Sequence, residues 1–380
     1  MDLRYSAEEL RFRSEVRDWI EAQRPPVRSG GTEALREWQR RLHARGFLGG
    51  SWPWGDDARS RLSPMQQAIL NEELARADAP APLGSMGLSW VGPAILRFGR
   101  PEQQARFLEP LLSGDDIWAT GYSEPGAGSD MFNTQTRAVR DGDDYVVTGQ
   151  KIWTSQAHVA NWYFLLVRTS SEGAKVAGLT LLLVPMSSPG IEIRPTRMIT
   201  GDAEFAEVFL RDVRVPVSSR LGAEGQGYQI VSTALVDERS GIAGAIHFDR
   251  GLEALLATAR ARGLGGDPVW RQRIAELATH ARIMRAMGLR VLSDQLQGRF
   301  NPHTSSAMKC IATQYTQAFS EAGVEMLGAY GALLGGEEDP PGGVDWALRY
   351  LFDRCYTIAG GTSEIQRNIA AERILGLPRR

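Results

Sequence analysis

The sequence predicts an α+β chain in which helices, then strands, then helices again follow one another. Three observations carry this expectation. Apolar residues recur at three-and-four spacing up to about Gly114, and short runs rich in Val, Ile, Leu and aromatic residues take over from about Trp118 to Gly222. The helical spacing then returns after Gly227 and persists almost to the end. Strands without helices between them argue for a small antiparallel barrel or sandwich, not for a parallel sheet of βαβ units.

The first helical third begins with Leu10, Phe12, Val16, Trp19 and Ile20 on a charged background, and continues through Ile69, Leu70, Leu74 and Ala75. Its breaks fall at Arg24-Pro25-Pro26 and Gly49-Gly50-Ser51-Trp52-Pro53, where Pro and Gly interrupt the pattern. In the middle third, Asp141-Gly142-Asp143-Asp144 parts two alternating runs, 136–139 and 145–148, as a hairpin turn does. Further strand runs cover Trp162 to Val167, Leu179 to Val184, Ile191 to Arg194 and Ala206 to Val215. The last third offers helices over Tyr228 to Arg260, Val269 to Leu296, Ser305 to Leu327, Trp346 to Phe352 and Ser363 to Ile374. The final one has Thr362 as N-cap and stops at Gly376 and Pro378.

Composition narrows the function classes. At 380 residues and 23% charged residues the chain is long enough for two or three domains and has the balance of a globular protein. Its formal net charge of -2 provides no global attraction to nucleic acid or to an anionic membrane. Of its 43 basic residues only Lys151, Lys175 and Lys309 are lysines, a bias that reads as GC-rich coding. Cys310 and Cys355 are too few for a disulfide framework. The charged N-terminus lacks the apolar segment of a secretory signal, and no apolar run is long enough to span a membrane, so a cytoplasmic location is expected. His43, His158, His247, His280 and His303 are scattered without metal-ligand spacing, and no metal is expected. Neither a G-x-x-x-x-G-K-[ST] loop, nor a G-x-S-x-G elbow, nor a Rossmann fingerprint is present.

Two segments invite a chemical reading. Tyr122-Ser123-Glu124-Pro125-Gly126-Ala127-Gly128-Ser129-Asp130 is a Gly-rich turn that lets backbone N–H groups approach an acceptor, although a plain surface turn has the same composition. Gly149-Gln150-Lys151-Ile152-Trp153-Thr154-Ser155 puts an indole and two hydroxyls at a strand end. They can wall a flat ring, and a packed strand-end tryptophan accounts for them equally well.

Read together with Val213-Arg214-Val215-Pro216, Asp237-Glu238-Arg239 and the run from Gly360 to Gly376, these segments resemble the acyl-CoA dehydrogenase family in order and spacing along essentially the whole chain. The resemblance implies an N-terminal helical domain over 1–117, a middle antiparallel β-domain over 118–222 and a C-terminal four-helix bundle over 223–380. It also implies FAD, an acyl-CoA or acyl-carrier thioester substrate, electron-transfer flavoprotein as acceptor, and a tetramer or other oligomer of related chains. Tyr122, Ser123, Gly128 and Ser129 match the segment that meets flavin and thioester; Trp153 and Thr154 match the flavin-facing pair; Thr362 and Glu364 fall where the last helix meets FAD. A helix N-terminus favours electron-rich oxygen, and a carboxylate such as Glu364 is equally at home there.

Removing a proton next to a thioester carbonyl requires a poised carboxylate and hydrogen-bond donors on the carbonyl oxygen. Many relatives carry that carboxylate immediately before Gly-Thr near the C-terminus, where this chain has Gly360. Other relatives place it in a Glu-Arg pair on the first bundle helix, which here is Glu238 with Arg239. Glu238 is therefore the expected base and Arg239 the orienting cation, with the carbonyl held at the Gly360 or Gly361 N–H. Asp237 is the rival carboxylate, and an exposed Glu-Arg pair on a helix needs no function, being worth about 0.5 kcal/mol or less.

Two departures open alternatives. The family's Arg-Lys-x-Phe-Gly segment has no counterpart, leaving Arg262 as the substitute, and the Gln that precedes Gly-Gly-x-Gly is Glu325 here. A half-site or non-catalytic subunit of a heteromeric enzyme, or a flavin oxidase or oxygenase on the same fold, is the alternative function.

Overall fold

The computed structural model describes residues 5–24, 31–50, 52, 54, 62–239, 243–334 and 343–378, and the side chains of 235–239 and 243–247 fall outside that description. By internal contact the chain forms two compact units. One comprises Met1–Glu21, Pro64–Asp78 and Arg239–Arg380, the other Ala22–Ser63 and Ala79–Glu238.

This grouping does not follow chain order. In the first unit the helices α1 (Ala7–Gln23) and α3 (Pro64–Arg76) join the C-terminal helices. The tie between α1 and α3 is ionic: the carboxylate of buried Glu73 accepts from Arg17 Nε at 2.9 Å and Arg76 Nε at 2.7 Å. The C-terminal helices are α7 (Ala243–Ala261), α8 (Pro268–Leu296), α9 (Thr304–Leu327), α10 (Trp346–Asp353) and α11 (Ser363–Arg373). All but α9 itself pack on α9. Their apolar faces bury Leu255, Ala281, Met284, Phe319, Ala322, Met326 and Trp346 in one core. Trp346 sits there without an unpaired donor because its Nε1 donates to Thr258 Oγ1 at 2.8 Å. The expected helix over Tyr228 to Arg260 is realised as two, α6 (Gly227–Arg239) and α7, and 240–242 lie outside the described residues.

The second unit holds α2 (Thr32–Ala44), a π-helical turn at Gly87–Val91 leading into α4 (Gly92–Phe98), α5 (Pro101–Ser113), an eight-stranded sheet and α6. The strands are β1 (Trp118–Gly121), β2 (Arg137–Asp141), β3 (Asp144–Ser155), β4 (Trp162–Arg168), β5 (Leu179–Pro185), β6 (Ile191–Thr196), β7 (Phe205–Pro216) and β8 (Arg220–Leu221). Their order is β6-β7-β3-β2-β4-β5-β8, with β1 paired to β4 off that path. The hairpin between β2 and β3 forms as expected, with Gly142 at φ 63° in its two-residue turn, a value glycine adopts without cost.

Pairing is antiparallel except at β1 with β4 and at a single position, Arg137 opposite Arg168, between β2 and β4. The hairpin and its flanking loops supply the long connection that a parallel pair requires. Strands β4 and β5 are continuous apolar runs because both faces are covered. Phe164, Leu166, Leu181 and Leu183 face a core shared with Phe107, Leu111, Trp118 and Ile230. Tyr163, Leu165, Val167, Leu182 and Val184 face the opposite core with Val147, Val208 and Val215. Among the described residues no helix is long and apolar enough to cross a membrane.

Candidate active site

The segment after β1 is held by a buried ion pair that the sequence contains but does not advertise. Lys151, fully buried on β3, donates through Nζ to Glu124 Oε1 at 2.8 Å and to the Tyr122 carbonyl at 3.1 Å. Glu124 is saturated by two further donors, the Gln135 N–H at 2.6 Å and the Thr136 N–H at 2.9 Å. Burial pulls the Lys151 ammonium down to about 8 against the attraction of Glu124. Burial also pushes Glu124 up, but the Lys151 charge and the hydrogen bonds together outweigh it and hold the carboxyl below its usual range. Both groups are therefore charged at neutral pH.

With its ends fixed in this way, the loop closes on itself through paired bonds between Glu124 and Ala127, both 3.0 Å. Tyr122 is half-buried between Trp90 and Phe164, while Gly126, Gly128 and Ser129 are exposed. A Cβ added at Gly126 or Gly128 would meet nothing within 4 Å, and neither residue has a positive φ. Neither packing nor backbone conformation in this chain demands glycine there. Both positions leave open space beside the backbone.

The neighbouring feature is a β-bulge. Lys151 pairs with Val208 and Thr154 with Ala206, so Ile152 and Trp153 together oppose Glu207. The Ile152 N–H leaves β7 and donates instead to the Ser123 carbonyl at 2.9 Å. Trp153 takes φ 57°, a left-handed conformation that costs a non-glycine residue about 1–2 kcal/mol. Its indole is 60% exposed and touches Phe205 edge-on at 6.0 Å between centroids. With the indole this exposed, the packed strand-end alternative is excluded, and the left-handed backbone holds a bulky apolar side chain outside the core.

Thr154 turns its side chain inward. It is fully buried, and its hydroxyl bonds to the Tyr163 hydroxyl at 2.9 Å inside the sheet, so any ligand contact from Thr154 falls to its backbone. Strand alternation puts Ser155, which the sequence analysis names only as part of the motif, on the partly exposed face instead.

If Trp153 serves a ligand, Trp153→Gly should relieve the strain and cost the apoprotein no more than about 1 kcal/mol, well below the 3–5 kcal/mol of a buried tryptophan. Flavin affinity should fall at the same time. Urea unfolding of the apoprotein and a flavin fluorescence titration measure the two effects. A large stability loss with unchanged flavin affinity would reverse the assignment.

In the other unit, the N-terminus of α11 carries the second group of candidates. Gly360 and Gly361 both have positive φ, 64° and 87°. A side chain at Gly360 would be strained even though a Cβ would meet nothing within 4 Å. Thr362 caps the helix as expected, its Oγ1 accepting from the Ile365 N–H at 3.3 Å. Glu364, expected at the cofactor, lies in the first turn of α11. Its own N–H and the Thr362 hydroxyl hold its carboxyl below the usual range, and Arg367 lies 3.6 Å away. It is a helix-start carboxylate.

Helix α6 carries Glu238 and Arg239 in its last turn, and both side chains lie outside the described residues. Asp237 shares that position. Arg262 lies 5.6 Å from the Tyr330 ring, and Glu325 forms an ion pair with Arg273 of α8.

The Gly126–Gly128 turn and the exposed Trp153 plane fit a flat, phosphate-bearing ring cofactor such as FAD, with Tyr122, Ser123 and Ser129 flanking the turn. A helical segment, a β-sheet segment and a second helical segment in that order, with this turn and indole on the sheet, are the organisation of a flavin-dependent oxidoreductase of acyl thioesters. The chain belongs to the acyl-CoA dehydrogenase family, whose N-terminal, middle and C-terminal domains match residues 6–115, 119–213 and 225–375. It is 38% identical to acyl-CoA dehydrogenase IpdE1 of Mycobacterium tuberculosis over 97% of each chain. Among solved structures it is similar to the Tcur3481-Tcur3483 steroid ACAD, with 30% identity and TM-score 0.86 over 100% of both chains. The ChsE4-ChsE5 complex from Mycobacterium tuberculosis matches at 30% identity and TM-score 0.83, again over 100% of both chains.

Proposed function

We propose that this chain dehydrogenates the Cα–Cβ bond of an acyl-CoA to the trans-2-enoyl thioester, working in the cytoplasm and passing electrons to electron-transfer flavoprotein. Bound FAD supplies the hydride acceptor. Glu238 takes the proton from Cα, and the electron pair of that bond becomes the new double bond as hydride leaves Cβ. Arg239 orients Glu238. The Gly360 or Gly361 N–H donates to the thioester oxygen, where negative charge gathers during proton removal. Tyr122, Ser123, Gly128, Ser129 and Thr362 line the cofactor and thioester, and Trp153 flanks the ring.

The observation that carries this reading is Trp153, exposed and left-handed beside an open glycine turn. The favoured substrate class is a cyclic, steroid-like acyl-CoA. The similarity to a steroid ACAD supports it, as does Gly360, which projects no side chain where other relatives carry their base. The purified chain should be yellow, and anaerobic titration with an acyl-CoA panel should bleach it most completely with cyclic acyl groups. A colourless chain, or bleaching only by short straight acyl groups, counts against the respective half of the proposal.

A second reading is favoured by Glu325. Its carboxylate, paired with Arg273, stands where relatives carry a neutral Gln. A negative charge there disfavours a nearby pyrophosphate, as in a subunit that completes only half of the flavin sites of a mixed oligomer. Flavin stoichiometry well below one per chain, restored by co-expression with a related chain, would select this reading.

A further inference from the structure

The bulge at Ile152 and Trp153 reverses the alternation of β3. Without the extra residue, Trp153 would share the inward face with Lys151, and Thr154 would point outward. As folded, Lys151 and Thr154 both face inward, fully buried, and Trp153 is held out. The fold therefore chooses which of two neighbouring side chains, an indole or a small hydroxyl, enters the sheet.

The receiving position is built by β4 and β1. Tyr163, fully buried on β4, shares a hydrogen bond between its hydroxyl and that of Thr154 at 2.9 Å. The same hydroxyl crowds the backbone of β1: a Cβ added at Gly121 would lie 2.5 Å from it and 2.4 Å from the ring carbon that bears it. With the phenol wedged against Gly121, a small hydroxyl side chain fills the remaining place and satisfies both groups. An indole there would displace Tyr163 and orphan its hydroxyl. Burial pushes the Tyr163 phenol well above its ordinary value, so replacing it by phenylalanine removes one hydrogen bond and no charge.

Two ties thus bracket Trp153. On one side the Ile152 N–H donates to the Ser123 carbonyl, and on the other Thr154 is bonded to Tyr163. A left-handed residue other than glycine persists only where its surroundings over-determine it. We propose that Tyr163 is a positioning residue for the cofactor: by admitting Thr154 instead of Trp153 into the sheet, it sets the bulge that presents Trp153 to the flavin ring. The inference rests on the flavoprotein reading of Trp153 and adds to it a buried residue that acts through another.

The test labels the full chain with fluorotryptophan and follows the fluorine resonance of Trp153, identified among the ten tryptophans as the line missing from Trp153→Phe. In the wild type it should be one line that moves when FAD is added. Tyr163→Phe leaves the Thr154 hydroxyl buried without its partner, and Thr154→Val does the same to Tyr163. In either variant the Trp153 line should split or broaden before FAD is added, and FAD should bind about 10-fold more weakly. The double variant Tyr163→Phe with Thr154→Val has no orphan hydroxyl, and should recover one line and an affinity within about threefold of wild type. A bond that serves only the core would lower stability and leave the Trp153 line and the FAD affinity unchanged. That outcome in either single variant, or a double variant no better than the single ones, overturns the role of Tyr163 alone. A wild-type Trp153 line that FAD does not move overturns the flavin reading of Trp153 and this inference together.

Discussion

Glu238→Gln is expected to slow anaerobic reduction of the bound flavin by about 100- to 10,000-fold, the usual contribution of a general base. Flavin content and thermal stability should stay at wild-type values, because the substitution keeps the shape of the side chain and removes only its charge. The physical ground is the turn at Gly360. Gly360 has no side chain, so on the dehydrogenase reading the base comes from another element. Helix α6 ends at Arg239 and carries Glu238 in its last turn. Asp237 lies about 100° around the same helix, so Asp237→Asn is the paired control and should retain rapid reduction. Rapid reduction in Glu238→Gln with slow reduction in Asp237→Asn would transfer the role to Asp237.

Lys151→Met is expected to destabilise the protein by about 3–5 kcal/mol, since it leaves Glu124 charged, buried and without its cation. Flavin should be lost with it, because the same ammonium holds the Tyr122 carbonyl. The double variant Lys151→Met with Glu124→Gln should recover much of the stability, since no uncompensated charge remains. It should not recover flavin affinity. Chemical denaturation of the four proteins in the cycle measures the coupling directly.

The pair also fixes a pH signature. The Lys151 value of about 8 lies below the ordinary 10.5, so between these values the unfolded chain binds the extra proton and the Lys151 contribution to stability rises with pH. Glu124 lies below its ordinary 4.5, so its contribution is complete above that value and is withdrawn as pH falls through the folded one. Stability curves of the double variant should lack both slopes.

The element order, the hairpin at Asp141–Asp144 and the apolar runs of β4 and β5 are legible from local pattern, because each depends on neighbouring residues and on whether one or both faces are covered. The site motifs are legible as text but not as geometry. Thr154 looks interchangeable with Ser155 along the sequence. A bulge at Ile152 and Trp153 then sends the Thr154 hydroxyl to Tyr163, and leaves the following residue on the open face. Bulges depend on cross-strand register, which a single strand does not encode by itself.

The amino-acid sequence alone determined the family, the succession of helices and strands, and the absence of a carboxylate at Gly360. Only the tertiary structure decided how α1 and α3 group with the C-terminal helices, that Trp153 is held outward in a left-handed conformation, and that Lys151 and Lys309 hold backbone carbonyls rather than solvent. The reason is range. Periodicity and turn chemistry act over a few residues, whereas Lys151 meets Glu124 across 27 positions and Lys309 meets Gly361 across 52, contacts that exist only once the chain has folded.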